Sequence, residues 1–476
     1  MSGFLPVIER INHVLSGIVW GFPMLCMLLG TGLLFTLRTG FFQLRYFGHM
    51  LRETVGLIFA KKSDVPKDGK AISQFQALST ALAATLGTGN IVGVAAAITA
   101  GGPGAVFWMW VSAFFGMMTS YAENVLGIFY RYKNEKNEWV GGAMIYLERG
   151  LGMKWLGVVF AVFCIGASFG MGNMSQVNSM TSAMYDTFSV PPRTTGIIAA
   201  AVAGLAIAGG IRRVGKITEK IVPALAIGYI AATLVILWIK RAVLPGVFGD
   251  IIREAFNMKS AAGGFMGSVM AKAVSMGFRR GVFSNEAGLG SSVIVHAASD
   301  VREPVTQGLW GMFEVLLDTI VMCTLTALVI LSTGALETGK QGAALTIEAF
   351  RSGFGQYAGG FVSVSILLFA FSTILGWSYF GQCAAEYLFG TGAAVYYKII
   401  FVAVIIFGAT QSMELVWEIS DTMNGLMAIP NLAGVICLSG TVMSITKNYG
   451  DRRLRKSNSS AKPMLSAYDI GAKRGI

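Results

Sequence analysis

Charge is what this sequence has least of. Only 13% of its 476 residues are Asp, Glu, Lys or Arg, about half the roughly 25% usual in soluble domains, and mean hydropathy is +0.62. Such a chain cannot cover a water-facing surface, which excludes an ordinary soluble globule. Cysteine is sparse: Cys26, Cys164, Cys323, Cys383 and Cys437 stand singly in apolar stretches without a C-x-x-C pair, so neither a disulfide framework nor a zinc site is expected. His13, His49 and His296 are too scattered for a metal cluster. No His-Glu-x-x-His motif and no Ser-His-Asp cue is present, so an enzyme is not expected, although acidic residues inside apolar stretches keep a membrane-embedded enzyme as a rival reading. A repeated selectivity filter is missing as well, which argues against a channel.

What the chain does have is apolar length. About eleven stretches are long enough to cross a bilayer as helices: residues 16–37, 72–100, 105–130, 156–185, 194–208, 217–239, 263–298, 306–332, 358–388, 394–410 and 415–445. The first is too long for a signal peptide and lacks a small-x-small cleavage site, so it is expected to stay as a helix. The formal net charge of +12 is spread between the spans and not gathered in one basic domain, which excludes a nucleic-acid partner. Connectors 38–70, 131–136 and 212–220 and the tail from 447 are rich in Arg and Lys, and are expected in the cytoplasm. The N-terminus is then outside and the C-terminus inside a plasma or inner membrane, as an odd number of spans requires.

The spans fall into two blocks of five, 71–240 and 263–445, joined by an extracellular link at 241–262. An extra helix and connector, 1–70, precede them and a basic tail, 446–476, follows. The blocks carry opposite topology, the arrangement of inverted-repeat transporters. Each opens on a span interrupted near its middle, by Thr85-Leu86-Gly87-Thr88-Gly89-Asn90 and by Ser284-Asn285-Glu286-Ala287-Gly288-Leu289-Gly290-Ser291-Ser292. One such break suits close helix packing; two at matching places point to a midplane binding site.

Glycine in the first break frees backbone carbonyls before it and amides after it. The amides of Gly89 and Asn90, at the start of a half-helix, suit an amino-acid carboxylate. Carbonyls near Ala83, Thr85 and Leu86 and the side chain of Asn90 suit a dehydrated sodium ion. Ser372 and Thr373 offer hydroxyls for a second cage, or back-bonds to the preceding turn. Gln176, in a run with Asn173 and Asn178, is read as an acceptor for a substrate ammonium or a bond to a neighbouring helix. Asn285, the amide of the second break, is a candidate substrate contact, and Phe283 and Trp377 are candidate walls of a small side-chain pocket. Glu123, Lys272, Arg279, Arg280, Glu286, Glu314 and Asp318 lie inside spans and need partners. Arg280 and Glu286 flank the second break as an expected ion pair or gate, and a protonatable Glu123 or Asp318 keeps proton-coupled symport as an alternative to sodium.

The run Gly101-Gly102-Pro103-Gly104-Ala105-Val106-Phe107-Trp108-Met109-Trp110, ending at Gly116, resembles the signature of the alanine or glycine:cation symporter family. The upstream Gly-Thr-Gly-Asn-Ile-Val-Gly-Val and downstream Phe283-Ser284-Asn285-Glu286-Ala287-Gly288 are similar to that family too, and the similarity spans residues 72–445. The resemblance implies an all-α membrane protein with a five-plus-five inverted repeat like that of the leucine transporter LeuT, broken first and sixth core helices, and one extra N-terminal helix. It implies import of alanine or glycine with sodium. By the family's motifs Thr88, Gly89, Asn90, Gln176, Phe283 and Trp377 contact substrate, while Asn90, Ser372 and Thr373 serve sodium. LeuT-like chains carry Leu where Thr88 stands, so this chain adds a hydroxyl near the carboxylate. Trp108 and Trp110 lie beyond the break and are expected to pack helices.

Overall fold

A backbone surrounded by hydrocarbon has no water to bond, so each apolar stretch satisfies its own amides by coiling. The computed structural model describes residues 5–59, 71–257 and 269–466; expectations for 60–70, 258–268 and 467–476 lie outside the described residues. The order is α1 (Leu5–Val19), α2 (Phe22–Arg38), α3 (Phe42–Arg45), α4 (Phe47–Glu53), α5 (Val55–Phe59), α6 (Gln74–Thr85), α7 (Val92–Gly101) and α8 (Gly104–Tyr130). A short hairpin, β1 (Tyr132–Lys133) and β2 (Trp139–Val140), precedes α9 (Ala143–Leu151), α10 (Lys154–Phe169), α11 (Ser175–Phe188), α12 (Pro192–Ala208), α13 (Gly210–Ile239) and α14 (Leu244–Ala255). Then come α15 (Val269–Asn285), α16 (Val293–His296), α17 (Pro304–Val315), α18 (Thr324–Ser332), α19 (Gly342–Phe354), α20 (Ala358–Phe389), α21 (Ala393–Gly408), α22 (Met413–Cys437) and α23 (Ser439–Tyr449).

Among the described residues six helices are long and apolar enough to cross a membrane: Arg10–Arg38, Gly104–Tyr130, Lys154–Phe188, Gly210–Ile239, Pro304–Ser332 and Gly342–Phe389. Two bent pairs, Gln74–Thr85 with Thr88–Gly101 at 56° and Val416–Cys437 with Ser439–Leu454 at 58°, bring the number to eight if each crosses once. Pro192–Ala208 and Ala393–Gly408 are shorter apolar helices. The expected first span begins earlier than residue 16, because α1 and α2 run nearly end to end past Gly21 and Pro23.

Two helices lie outside the expected spans. The link 241–262 carries α14, whose buried Val247, Ile251 and Ala255 recur at helical spacing and face α8, where the Trp108 indole donates to the Ala255 carbonyl at 3.0 Å. The segment after α18 carries α19, which is likewise buried on one face. Both are amphipathic, so an average over hydropathy hides them.

Small residues set the helices close. An added Cβ on Gly32 of α2 would lie 2.4 Å from the Phe115 carbonyl of α8, and one on Gly277 of α15 would lie 2.6 Å from the Ala105 carbonyl of α8. The signature segment at the start of α8 therefore packs helices, with the Trp110 indole donating to Thr324 Oγ1 at 2.7 Å. The span from Pro304 to Ser332 is loosened in the middle by a π-helical stretch, Leu316–Cys323, a feature that often marks a functional position.

Candidate functional site

The first break follows from where the amides go. Ser73 and Gln76 cap the start of α6 reciprocally, and the helix runs until Leu86 N–H reaches the Leu82 carbonyl at 2.7 Å. The next amide, Gly87 N–H, turns away to the Asn90 side-chain oxygen at 3.0 Å, and Thr88 N–H goes to Gln176 Oε1 at 3.2 Å. The Ala83 carbonyl thereby loses the partner a continuing helix would have given it. Gly87 admits no side chain here: a Cβ would sit 2.3 Å from Thr373 Oγ1 and 3.1 Å from Gln176 Oε1. The Ser372 and Thr373 hydroxyls both donate back to the Phe369 carbonyl, at 2.8 and 3.1 Å. A hydroxyl whose proton is spent that way still presents its oxygen, and that of Thr373 faces the break.

The second break is a backbone turned left-handed at three positions, Glu286 at φ 57°, Gly288 at φ 92° and Gly290 at φ 72°. Such a conformation is costly for a glutamate, and its carboxylate is tied at both ends, accepting from the Trp377 indole at 2.7 Å and from Ser291 Oγ at 2.5 Å. From α22, Asn431 Nδ2 donates to the Gly288 carbonyl at 2.9 Å and to Glu123 Oε1 at 2.5 Å. The Tyr146 hydroxyl donates to the oxygen of the same Asn431 amide.

Between the breaks stands a carboxylate. Asp318 is fully buried and receives Asn90 Nδ2 of the first break at 2.7 Å, Ser284 Oγ of the second-break helix at 3.0 Å, and Thr319 Oγ1 at 2.7 Å. Asn285 Nδ2 donates to Thr319 at 3.0 Å. These donors are all neutral. Gly89 touches the same junction, a Cβ there lying 3.2 Å from the Ser284 Cα.

At the end of the bundle that carries α14, the junction is roofed. Phe283 stacks on Trp417 of α22, centroids 4.9 Å apart and planes at 15°, and the Arg280 guanidinium lies over both rings. Arg280 and Arg279 share one acceptor, the buried carboxylate of Asp421, at 3.0 and 2.7 Å. Helix α1 and the residue after it join in, since Arg279 also donates to Ser16 Oγ at 2.9 Å and the Trp20 indole donates to the Asp421 carbonyl at 2.8 Å. Two buried donors near the first break have no hydrogen-bond partner, the Thr88 hydroxyl and the Trp417 indole N–H. A Cβ on Gly93 would lie 3.9 Å from the Thr88 carbonyl and 4.0 Å from the Trp417 ring, so these two residues flank the same turn of α7.

The opposite end is closed by backbone. Ile72 N–H donates to the Ala298 carbonyl at 3.2 Å and Asp300 N–H returns to Ile72 at 3.0 Å, joining the start of one broken span to the end of the other. Arg131, at the end of α8, donates to the carbonyls of Ala297, Ser299 and Val301. Arg452 reaches Glu303 with two bonds of 3.0 and 3.1 Å. His49, held by Tyr449 and Arg52, is pushed below its ordinary pKa chiefly by burial, with Glu53 opposing and Arg52 and Arg453 adding to the fall.

The residues read from the sequence thus gather where the breaks meet: Thr88, Gly89, Asn90 and Gln176 at the first, Phe283 and Asn285 at the second, Thr373 facing Gly87. The expected Arg280–Glu286 pair is a correction. Arg280 lies within α15 and turns to Asp421, whereas Glu286 has left the helix and turns to Trp377 and Ser291. Trp377 accordingly holds the second break with its nitrogen, and its side chain packs on Gly172, where an added Cβ would lie 2.2 Å from the Trp377 Cβ and 2.4 Å from its ring. Lys272 is exposed, and Glu314 pairs with His296 at 3.0 Å. Sequence reasoning missed Ser284 as a partner of Asp318, together with Trp417 and Asp421. The last two sit in Trp417-Glu418-Ile419-Ser420-Asp421-Thr422, a polar run inside an apolar span that was signal enough to single them out.

Comparison with known proteins follows the same lines. Residues 6–463 match the model of a family described as the sodium:alanine symporter family. The chain is 46% identical over 465 residues to the sodium/alanine symporter AgcS of Methanococcus maripaludis, across 96% of this chain and 100% of that protein. It is 39% identical to a Bacillus subtilis protein named "Probable sodium/glutamine symporter GlnT", across 93% of this chain and 91% of that one. Among solved structures, a manganese transporter of Eremococcus coleocola superposes with a TM-score of 0.50 at 13% identity, covering 82% of this chain and 84% of that one. At that identity the likeness is one of fold.

Proposed function

Since this chain belongs to the sodium:alanine symporter family and is a cation-coupled amino-acid symporter, we propose that it imports a small neutral amino acid, alanine or glycine, with sodium by alternating access. The observation that carries the reading is the unpartnered buried hydroxyl of Thr88, in the same short 3-10 turn as the amides of Gly89 and Asn90, with a second unpartnered buried donor, the Trp417 indole N–H, on the residue whose ring reaches Gly93 of α7. Buried donors without acceptors cost about 1–3 kcal/mol each, and a substrate carboxylate supplies the acceptor. The stacked rings of Phe283 and Trp417 would wall the substrate's short side chain, with Gln176 and Asn285 bracing the breaks on either side.

Sodium, in this reading, takes oxygens of Ala83, Thr85, Leu86 and Asn90 together with the carboxylate of Asp318, and a second ion takes Ser372 and Thr373. The Asn90 amide, which now caps Gly87 with its oxygen, turns that oxygen to the ion. The eleven spans form one extra helix and two inverted blocks of five in a LeuT-like arrangement, the N-terminus outside and the tail in the cytoplasm. The Arg279–Arg280–Asp421 cluster is then the outer gate and the Ile72–Ser299 junction the inner one, and the two open in turn as the broken helices rock. Coupling arises because ion and amino acid each bind one arrangement of the breaks better than the other.

The test is uptake of labelled alanine into liposomes holding the purified protein, under imposed sodium, potassium or proton gradients. Accumulation is expected only with an inward sodium gradient, and unlabelled glycine should compete. Uptake driven equally by protons in sodium-free buffer would replace sodium coupling with proton coupling. Glutamine competing better than glycine would move the cargo to the larger side chain.

A further inference from the structure

Helix α2 ends at Arg38, where its 17-residue apolar run stops. The chain then turns through two left-handed residues, Gly40 at φ 64° and Phe41 at φ 56°, and leaves the direction of the span as the short helix α3. Opposite this turn, α23 and the turn after it bring Lys447 and Arg455 alongside. Between the two segments lies a cavity of about 330 Å³, lined by Arg38, Lys447 and Arg455 with Phe42 and Tyr46 and, among the described residues, by no carboxylate. Arg38 spends one of its donors on Ser439 Oγ at 3.0 Å. Arg455 shares the lining with Tyr46 and has Asp451 beside it at 3.8 Å, which leaves most of the cavity's donors free for an anion.

From this cavity we infer a binding site for the phosphate headgroup of an anionic phospholipid, at the end of the bundle where α2 ends at Arg38 and α23 makes its last turn at Lys447. Depth and flank favour a lipid as the occupant. Arg38 stands at the end of the apolar α2, the level at which lipid phosphates lie, Lys447 in the last turn of α23 and Arg455 just beyond it line the same cavity, and cations at that level attract acidic lipids. Interleaved in sequence with the lining residues Arg38, Phe42 and Tyr46, Leu37, Phe41 and Leu44 are apolar and exposed, Leu44 by 60%, the pattern of a segment lying in the membrane interface with its apolar face in the acyl chains. The cavity takes the headgroup, and that apolar flank takes the chains. An occupant there bridges α2, which lies ahead of the two blocks, to α23 at the end of the second. The inference needs neither the identity of the cargo nor that of the coupling ion.

The experiment titrates the purified full chain, stripped of lipid in neutral detergent, with phosphatidylglycerol, phosphatidylcholine or inorganic phosphate. Bound lipid is read by native mass spectrometry and the unfolding midpoint by heating. Phosphatidylglycerol should bind at least about tenfold more tightly than phosphatidylcholine and raise the midpoint. Each cation removed should weaken that binding by roughly fivefold, so that R38Q/K447Q/R455Q abolishes the preference while Arg241→Gln, at the other end of the molecule, keeps it. Should the triple variant fail to fold, Lys447→Glu alone should reduce the preference and Lys447→Arg preserve it. Equal binding of the two lipids, or a preference untouched by these changes, overturns the site. Displacement of phosphatidylglycerol by millimolar inorganic phosphate also overturns it, in favour of a free-anion site.

Discussion

Asp318 shows how a single side chain joins what the chain keeps far apart. It lies 228 residues from Asn90 and 34 from Ser284, yet bonds both, so that movement of either broken helix must break or stretch a contact to one carboxylate. Neutral donors steady that group without balancing its charge, and in a membrane interior the balance has to come from somewhere. If sodium supplies it, Asp318→Asn should raise the sodium concentration for half-maximal alanine uptake about tenfold to a hundredfold, some 1.4–2.8 kcal/mol, with a smaller change in the alanine concentration dependence at saturating sodium. An unchanged sodium dependence would reduce Asp318 to a brace between the breaks. The need for a partner was legible at this position, as at Arg280, Glu286 and Glu314, because charge in an apolar span is conspicuous. The partner itself was not. The charge sign at Arg280 and Glu286 suggested a pair that the left-handed turn at Glu286 pulls apart, and Asp421 lies 141 residues beyond Arg280.

At the scale of elements, the broken helices were the most legible feature, since glycine and amide residues within an apolar run leave the backbone groups nowhere else to go. The helices α14 and α19 were not, being amphipathic and too polar on average to stand out. Helix α1 was read only as part of a span, and its contacts give it more to do. Ser16 and Trp20 hold the cluster of Arg279 and Asp421 from outside the two blocks, and His13 bonds Glu418 of α22 at 2.8 Å. Trp20→Phe keeps an aromatic side chain but deletes the indole N–H and its one hydrogen bond, worth about 1 kcal/mol, together with the ring edge that packs on Gly425, which should favour opening at that end at least roughly fivefold. Hydrogen exchange at the amides of 416–422 and 279–283 should quicken by about that factor, while exchange near Ile72 and Ser299 stays as it was. If the roof exchanges no faster, α1 merely packs against α22 and does not latch it.

For the whole molecule, hydropathy and loop charge were enough to read a many-helix membrane protein and to propose which end faces the cytoplasm, because both are sums over many residues and tolerate local errors. The structure makes the orientation sharply testable, since it gathers Arg38, Arg131, Arg452 and Lys447 at one end and α14 at the other. The energetic preference behind the proposal is a bias of Arg and Lys toward the cytoplasmic side, and two exposed positions report on it, Arg241 beside α14 and Ser457 beyond α23. In a background with the native cysteines replaced, Arg241→Cys should react with a membrane-impermeant maleimide on intact cells and Ser457→Cys only after permeabilisation. The reverse pattern would turn the molecule over. The cluster of Arg279, Arg280 and Asp421 would then be the inner gate, and the cations around Arg38 would meet the outer leaflet.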